Sequence, residues 1–277
     1  MKFFFRLFEH DDVYSSLPSK NYQSYHGIMG NVVSSPIPTM RRIFTTYPYF
    51  LPAEPEPFVQ LFREHGTLRV VNKGEVLKRG GESQRLFFLE EGLCAYCAAE
   101  ALDHRPYILS IVLPGRVMGD MTASIRTRCN VYTRALKKSR VLSIPPEVLA
   151  LAIEERPEYA KLEIRNVIAK EESLLEGMAA NFLRPPQERV VIYAKSLCRI
   201  TGTLPREDGW HALPLELPVS TIGELVNLNR VSVSRILSRW IQMGEVRREG
   251  RTLFFSDRLF ASVDDWLENR APQHPLP

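Results

Sequence analysis

The spacing of apolar and polar positions divides the chain into stretches of different period. Residues 1–45 show little period of either kind. They are rich in Ser, Tyr, Asn and Pro and are expected to form a loose N-terminal extension. Pro48, Pro52, Pro55 and Pro57 then suit a connector or the first turn of a short helix. From about 66 to 146, short β-prone runs end at turn signals. Glu75–Arg79 leads to Gly80-Gly81, Arg85–Glu90 to Gly92, and Tyr107–Leu113 to Pro114-Gly115, with Leu93–Ala98, Val131–Leu136 and Arg140–Ile144 completing the set. Many short strands with regular turns predict an antiparallel sandwich or barrel.

Beyond Pro145-Pro146 the period lengthens. Ile164, Val167, Ile168, Leu174, Leu175, Met178 and Phe182 fall mostly three, four or seven apart, which predicts one apolar stripe on a long helix over about 147–183. Glu171-Glu172 interrupts the stripe, and Pro185-Pro186 ends the helix. A stripe of this kind serves either the chain's own core or a seam with a second copy. The spacing fits both.

Residues 219–238, VSTIGELVNLNRVSVSRILS, meet the steric demands of a helix-turn-helix together. Two closely crossing helices want a tiny residue at the contact, which Gly223 supplies. The tight turn wants tolerance of positive φ, and Asn227 has it. Ile222, Val226, Leu228, Val233 and Ile236 stand where apolar side chains must enter the crossing, and Asn229 is suited to cap the second helix. The first helix is expected to open near Pro218. Arg230, Ser232, Ser234, Arg235 and Arg239 are read as the outward donors of the second helix, able to reach base edges and phosphates. Two short apolar strands then flank a basic turn between Val246 and Phe255. That reads as a wing, with Arg248 and Arg251 placed for phosphate contact.

Composition narrows the setting. Hydrophobic residues make up 44% and the net charge is +4, ordinary for a globular protein and compatible with a nucleic-acid partner. Cys94, Cys97, Cys129 and Cys198 are few and dispersed, as in a reducing compartment. The start, MKFFFRLFEHDD, lacks the apolar core of a signal peptide, and no window approaches the roughly 20 apolar residues of a membrane span. The expected location is the cytoplasm, with no membrane partner.

Residues of about 60–265 resemble the Crp/Fnr family of transcription regulators. The resemblance is carried by Ile222–Leu237 and the wing, and supported by Gly74-Glu75-Val76-Leu77, Leu86–Gly92, Pro114-Gly115 with Gly119-Asp120, and Val131–Ala135. It implies an α+β fold: an N-terminal β-roll of the cyclic-nucleotide-binding type (46–150), a long dimerisation helix (151–184) and a C-terminal winged helix-turn-helix (185–277). It further implies a homodimer on palindromic double-stranded DNA, a small-molecule effector, and contact with RNA polymerase. Arg235 matches the family's guanine-reading arginine, and Arg230 and Ser234 match other DNA-facing positions. Val231 departs from the family's frequent Glu and cannot accept a hydrogen bond from cytosine.

The sensor departs further. Gly119-Asp120 stands for the family's Gly-Glu, but the phosphate-binding Arg and its hydroxyl neighbour fall on Cys129 and Asn130, with Arg126 and Arg128 as substitutes out of register. Cyclic AMP is therefore not the expected ligand. Haem with His65 or His104 as axial ligand, and Cys94, Cys97 or Cys129 as thiolate, is one alternative; a small organic effector is another. An iron–sulfur cluster is disfavoured, because no cysteine precedes position 94 and residues 94 and 97 of one strand point to opposite faces. Two rival functions are a ligand-binding β-roll without DNA binding and a metal-dependent β-roll enzyme. The latter needs clustered ligands, and histidines 10, 26, 65, 104, 211 and 274 do not cluster along the chain.

Overall fold

The computed structural model describes residues 46–79, 85–99, 106–119 and 131–263. Helix α1 (Glu56–His65) precedes eight strands: β1 (Thr67–Val71), β2 (Val76–Arg79), β3 (Leu86–Glu91), β4 (Cys94–Ala99), β5 (Pro106–Val112), β6 (Arg116–Met118), β7 (Val131–Ala135) and β8 (Ser139–Ile144). They form two four-stranded antiparallel sheets, ordered β1-β8-β3-β6 and β2-β7-β4-β5. The strands identified in the sequence are all present, most shifted by one residue at an end. β1 and β6, short runs that lack a strong alternation, are additional.

Both faces of the central strands are covered, which is why their sequences run apolar without a break. On β3, Phe87 and Leu89 turn into the roll with Met118 and Val141, while Leu86 and Phe88 turn outward onto Val59 and Phe62 of α1. On β4, Cys94 and Tyr96 face the roll interior, while Ala95 and Cys97 face a second core shared with the C-terminal helices. The two cysteines of Cys94-x-x-Cys97 therefore point to opposite faces, as strand geometry requires.

Where the sequence pattern suggests one helix over about 147–183, there are two. Helix α2 (Pro146–Glu155) stops at Arg156, and α3 (Glu158–Leu183) starts after Pro157. The cause is Pro157, which has no amide hydrogen to continue the ladder. The Glu171-Glu172 pair leaves α3 unbroken. The helix is amphipathic in an inverted sense. Its buried residues are Asn166, Lys170, Ser173, Glu176, Gly177 and Ala180, polar or small throughout. The apolar Ile164, Ile168, Leu175, Met178 and Phe182 are exposed, Phe182 at 77%.

The connector rich in proline explains the polar side. Residues 47–54 lie across α3 as a strap. Ser173 Oγ donates toward the carbonyls of Tyr47 and Phe50, at 3.0 and 2.6 Å. Tyr49 sits at φ +73° and packs on Gly177, where a Cβ would come within 3.3 Å of the Tyr49 backbone nitrogen. At the end of the strap Glu54 is buried. Lys170 Nζ donates to its carboxylate at 2.9 Å, Asn166 Nδ2 donates to the other oxygen, and the Val117 amide donates at 3.3 Å.

Helix α4 (Pro186–Ile200) is buried continuously from Val190 to Cys198 and carries the C-terminal head. The head comprises β9 (Trp210–Ala212), α5 (Val219–Leu225), α6 (Arg230–Gln242), β10 (Val246–Glu249), β11 (Thr252–Ser256) and α7 (Asp257–Ala261). Its three strands form a sheet ordered β10-β11-β9. Among the described residues no helix is long and apolar enough to cross a membrane.

Candidate nucleic-acid interface

Helices α5 and α6 meet at Gly223. A Cβ placed there would lie 2.5 Å from the carbonyl oxygen of Leu228, so any larger residue would drive the helices apart. The turn between them passes through Asn227 at φ +52°, the left-handed region that Asn tolerates. Asn229 then caps α6, its side-chain oxygen accepting from the Ser232 amide at 2.8 Å. Pro218 lies just outside α5 as its N-cap. Ile222, Leu225, Val226, Val233, Leu237 and Trp240 fill the space behind the pair.

The outer face of α6 is a shallow concave surface lined by Arg230, Val231, Ser234, Arg235, Ser238 and Arg239, ending at Gln242. Arg230, Ser234, Arg235 and Arg239 are exposed on it, as anticipated. Ser232 is half-buried, with its amide taken up by the cap. Asn229 has one side-chain atom committed to that cap. Val231, Ser238 and Gln242 share the face and were legible from helical spacing, at one and two turns from Ser234 and Arg235.

The wing is β10 paired with β11, from Val246↔Phe255 to Glu249↔Thr252. Arg248 and Arg251 stand exposed at its tip. Among the described residues, no carboxylate pairs with either of them or with Arg230, Arg235 or Arg239, so five guanidiniums remain for an anionic partner. Arg247 behaves differently. It lies over Trp210 and Phe254, 4.5 and 5.1 Å from the ring centroids, and reaches Asp208 at 2.9 Å. That contact holds the Asp208 carboxyl below the usual carboxylate range. Arg206 covers the same Phe254 ring at 4.3 Å. These cation–π contacts stiffen the wing. Alternation along β10 separates the stacked Arg247 from the free Arg248, a distinction that a run of two arginines hides in the sequence.

The sensor residues are placed in part. Gly119 follows β6 at φ +96°, its amide donating to Tyr96 Oη at 2.8 Å. Asp120, Arg126, Arg128, Cys129, Asn130 and His104 lie outside the described residues. His65 is the exposed last residue of α1, beside Glu64. Cys94 and Cys97 are buried, on opposite faces of β4, and burial pushes each thiol up to about 11. Among the described residues no group of three His, Cys, Asp or Glu side chains gathers to hold a metal ion.

Comparison with known proteins agrees with this geometry. Residues 68–156 match the family described as the cyclic nucleotide-binding domain. A solved structure of a CooA mutant from Carboxydothermus hydrogenoformans is 15% identical, superposes with a TM-score of 0.61, and covers 75% of this chain and 90% of its own. A CRP/FNR-family transcriptional regulator from Thermus thermophilus is 16% identical, with a TM-score of 0.55 over 74% of this chain and all of its own. The chain has the Crp/Fnr fold. CLP of Xanthomonas campestris, a c-di-GMP-responsive global regulator, shares that fold at 16% identity and a TM-score of 0.60, covering 73% of this chain and 99% of its own. No curated protein matches the sequence. In the Crp/Fnr fold the β-roll, the long helix and the winged head fall in the order expected from the sequence.

Proposed function

We propose that the chain is an effector-responsive transcription regulator that binds palindromic double-stranded DNA as a homodimer. The observation that carries this reading is α6. A glycine contact, a positive-φ asparagine and a capping asparagine build the helix pair, and the outer face carries uncompensated guanidiniums and hydroxyls. Such donors suit guanine edges and phosphates, and α6 has the diameter that a major groove admits. The exposed stripe on α3 supports the homodimer, since an apolar face of this length is left uncovered in one copy. Contact with RNA polymerase belongs to the same reading.

Arg235 is assigned to base reading and Arg248 to the backbone. With duplexes selected for binding to the full chain, Arg235→Ala is expected to relax preference at one base pair per half-site, at a cost on the order of 1–3 kcal/mol. Arg248→Ala is expected to weaken all sequences alike and to lower the salt slope by about one unit. Titrations over operator variants and salt concentrations check both. Full discrimination retained by Arg235→Ala and lost by Arg248→Ala would reverse the assignment.

The effector is proposed to be a small organic molecule in the β-roll other than cyclic AMP. Cys129 and Asn130 replace the guanidinium and hydroxyl that would cradle its phosphate, and CLP illustrates that the Crp/Fnr fold serves other effectors. Millimolar cyclic AMP is expected to leave DNA affinity unchanged and to give no saturable heat in calorimetry. A saturable signal would place Arg126 or Arg128 in the phosphate role. The haem alternative would place the axial ligand at His104 or the exposed His65, and a Soret band in protein purified without oxygen would establish it.

A further inference from the structure

Helix α5 is only seven residues long, yet three parts of the molecule converge on it. Through Gly223 it is pressed against the backbone before α6, so the two helices move together. Its next residue, Glu224, places Oε2 3.1 Å from Nη2 of Arg134 on β7 of the sensor roll, with side-chain exposures of 32% and 24%. The residue after that, Leu225, offers its carbonyl to Asn181 Nδ2 of α3 at 3.0 Å, and Asn181 Oδ1 accepts from Tyr49 Oη of the strap at 2.9 Å. Two successive residues of the helix that supports α6 are thus tied, one to the sensor sheet and one to the long helix.

The surroundings make these ties more than surface contacts. Arg134 Nε is buried without a hydrogen-bond partner, and Glu224 is the carboxylate that pairs with the partly buried guanidinium. Asn181 keeps both of its protein partners only while strap and head stay in place. Tyr49 is fully buried and held at φ +73°, a conformation that a tyrosine keeps only when its surroundings impose it. α5 also packs against β5, and one apolar core runs from Ile108 and Ile111 on that strand to Ile222 and Val226.

The geometry points to α5 as a latch: the Arg134–Glu224 ion pair and the Tyr49–Asn181–Leu225 relay hold the reading head in one orientation against the roll, so that movement of β7 or α3 resets it. The outer face of α6 is open in this orientation, and the latched head is taken as the one that binds DNA. That assignment rests on the proposed DNA-binding function. The latch itself does not.

The chain supplies its own reporter, because Trp210 and Trp240 lie in the head and, once Trp266 is replaced by Phe, are its only tryptophans. Tryptophan anisotropy decay of the full chain therefore reads head mobility without DNA. Arg134→Glu and Glu224→Arg are each expected to add a fast component and to weaken binding to a selected duplex roughly tenfold, within the usual range of coupling between sites. The double reversal restores both. Asn181→Ala, which leaves the charges intact, adds a fast component by releasing the relay. An unchanged decay in the three single variants overturns the latch, as does a double reversal that fails to restore slow tumbling in a protein with wild-type melting. A fast component with unaltered DNA affinity overturns the claim that the latched orientation is the binding one. If the decay responds as expected while the wild-type chain binds no duplex selectively, the latch stands and the DNA-binding reading fails.

Discussion

Replacing Leu175 and Met178 together with glutamate is expected to yield monomers in sedimentation and to weaken binding to a palindromic duplex by roughly 10²–10⁴-fold, the gain that bivalency supplies. The direction follows from where α3 puts these side chains. Both are exposed on the apolar stripe, while the contacts that seat α3 on its own protomer come from Asn166, Lys170 and Ser173 on the other side. The substitutions should therefore spare the fold, and circular dichroism and melting should stay close to wild type. Facing glutamates across a seam add like-charge repulsion to the loss of apolar contact. A double variant that remained dimeric with unaltered affinity would move the seam away from α3.

A second large effect is expected inside the protomer. Lys170→Met should destabilise the fold by about 3–5 kcal/mol, the cost of leaving one partner of a buried ion pair uncompensated. The Lys170 and Glu54 side chains are 0% and 2% exposed, so water cannot take the place of the lost ammonium. Glu54→Leu in the same chain removes the orphaned carboxylate, and the double variant should recover part of the loss. Recovery stays incomplete, because Asn166 and the Val117 amide also bond to Glu54. Denaturant midpoints of the two variants measure both steps. A Lys170→Met protein as stable as wild type would show that the pair contributes nothing to holding the strap on α3.

The winged head was legible in the sequence because its demands are local. Gly223, Asn227 and Asn229 each answer a backbone requirement within a dozen residues, and the structure shows the close contact, the positive φ and the cap. The strands of the roll were legible for the same reason, through turn glycines and prolines. The stripe on α3 was legible as apolar, but its direction was not. Which face turns inward depends on the strap, which lies more than a hundred residues earlier in the chain. Its bonds to Ser173 and Lys170 leave no period to detect. The Arg134–Glu224 and Asn181–Leu225 contacts were equally hidden, being pairs set by how sheet, helix and head stack. Pro157 was visible, yet the longer hydrophobic period obscured its effect on the helix.

The polar keying of α3 restricts how this helix can carry a signal. Rolling it about its axis by even one residue position, about 100°, would withdraw Lys170 and Asn166 from Glu54, Ser173 from the strap and Gly177 from Tyr49. Rotation on that scale is therefore barred, because it would break all of these contacts at once. Whatever part of a message from the roll to the head passes through α3 must therefore travel as a small shift in the height or tilt of a helix whose azimuth is fixed.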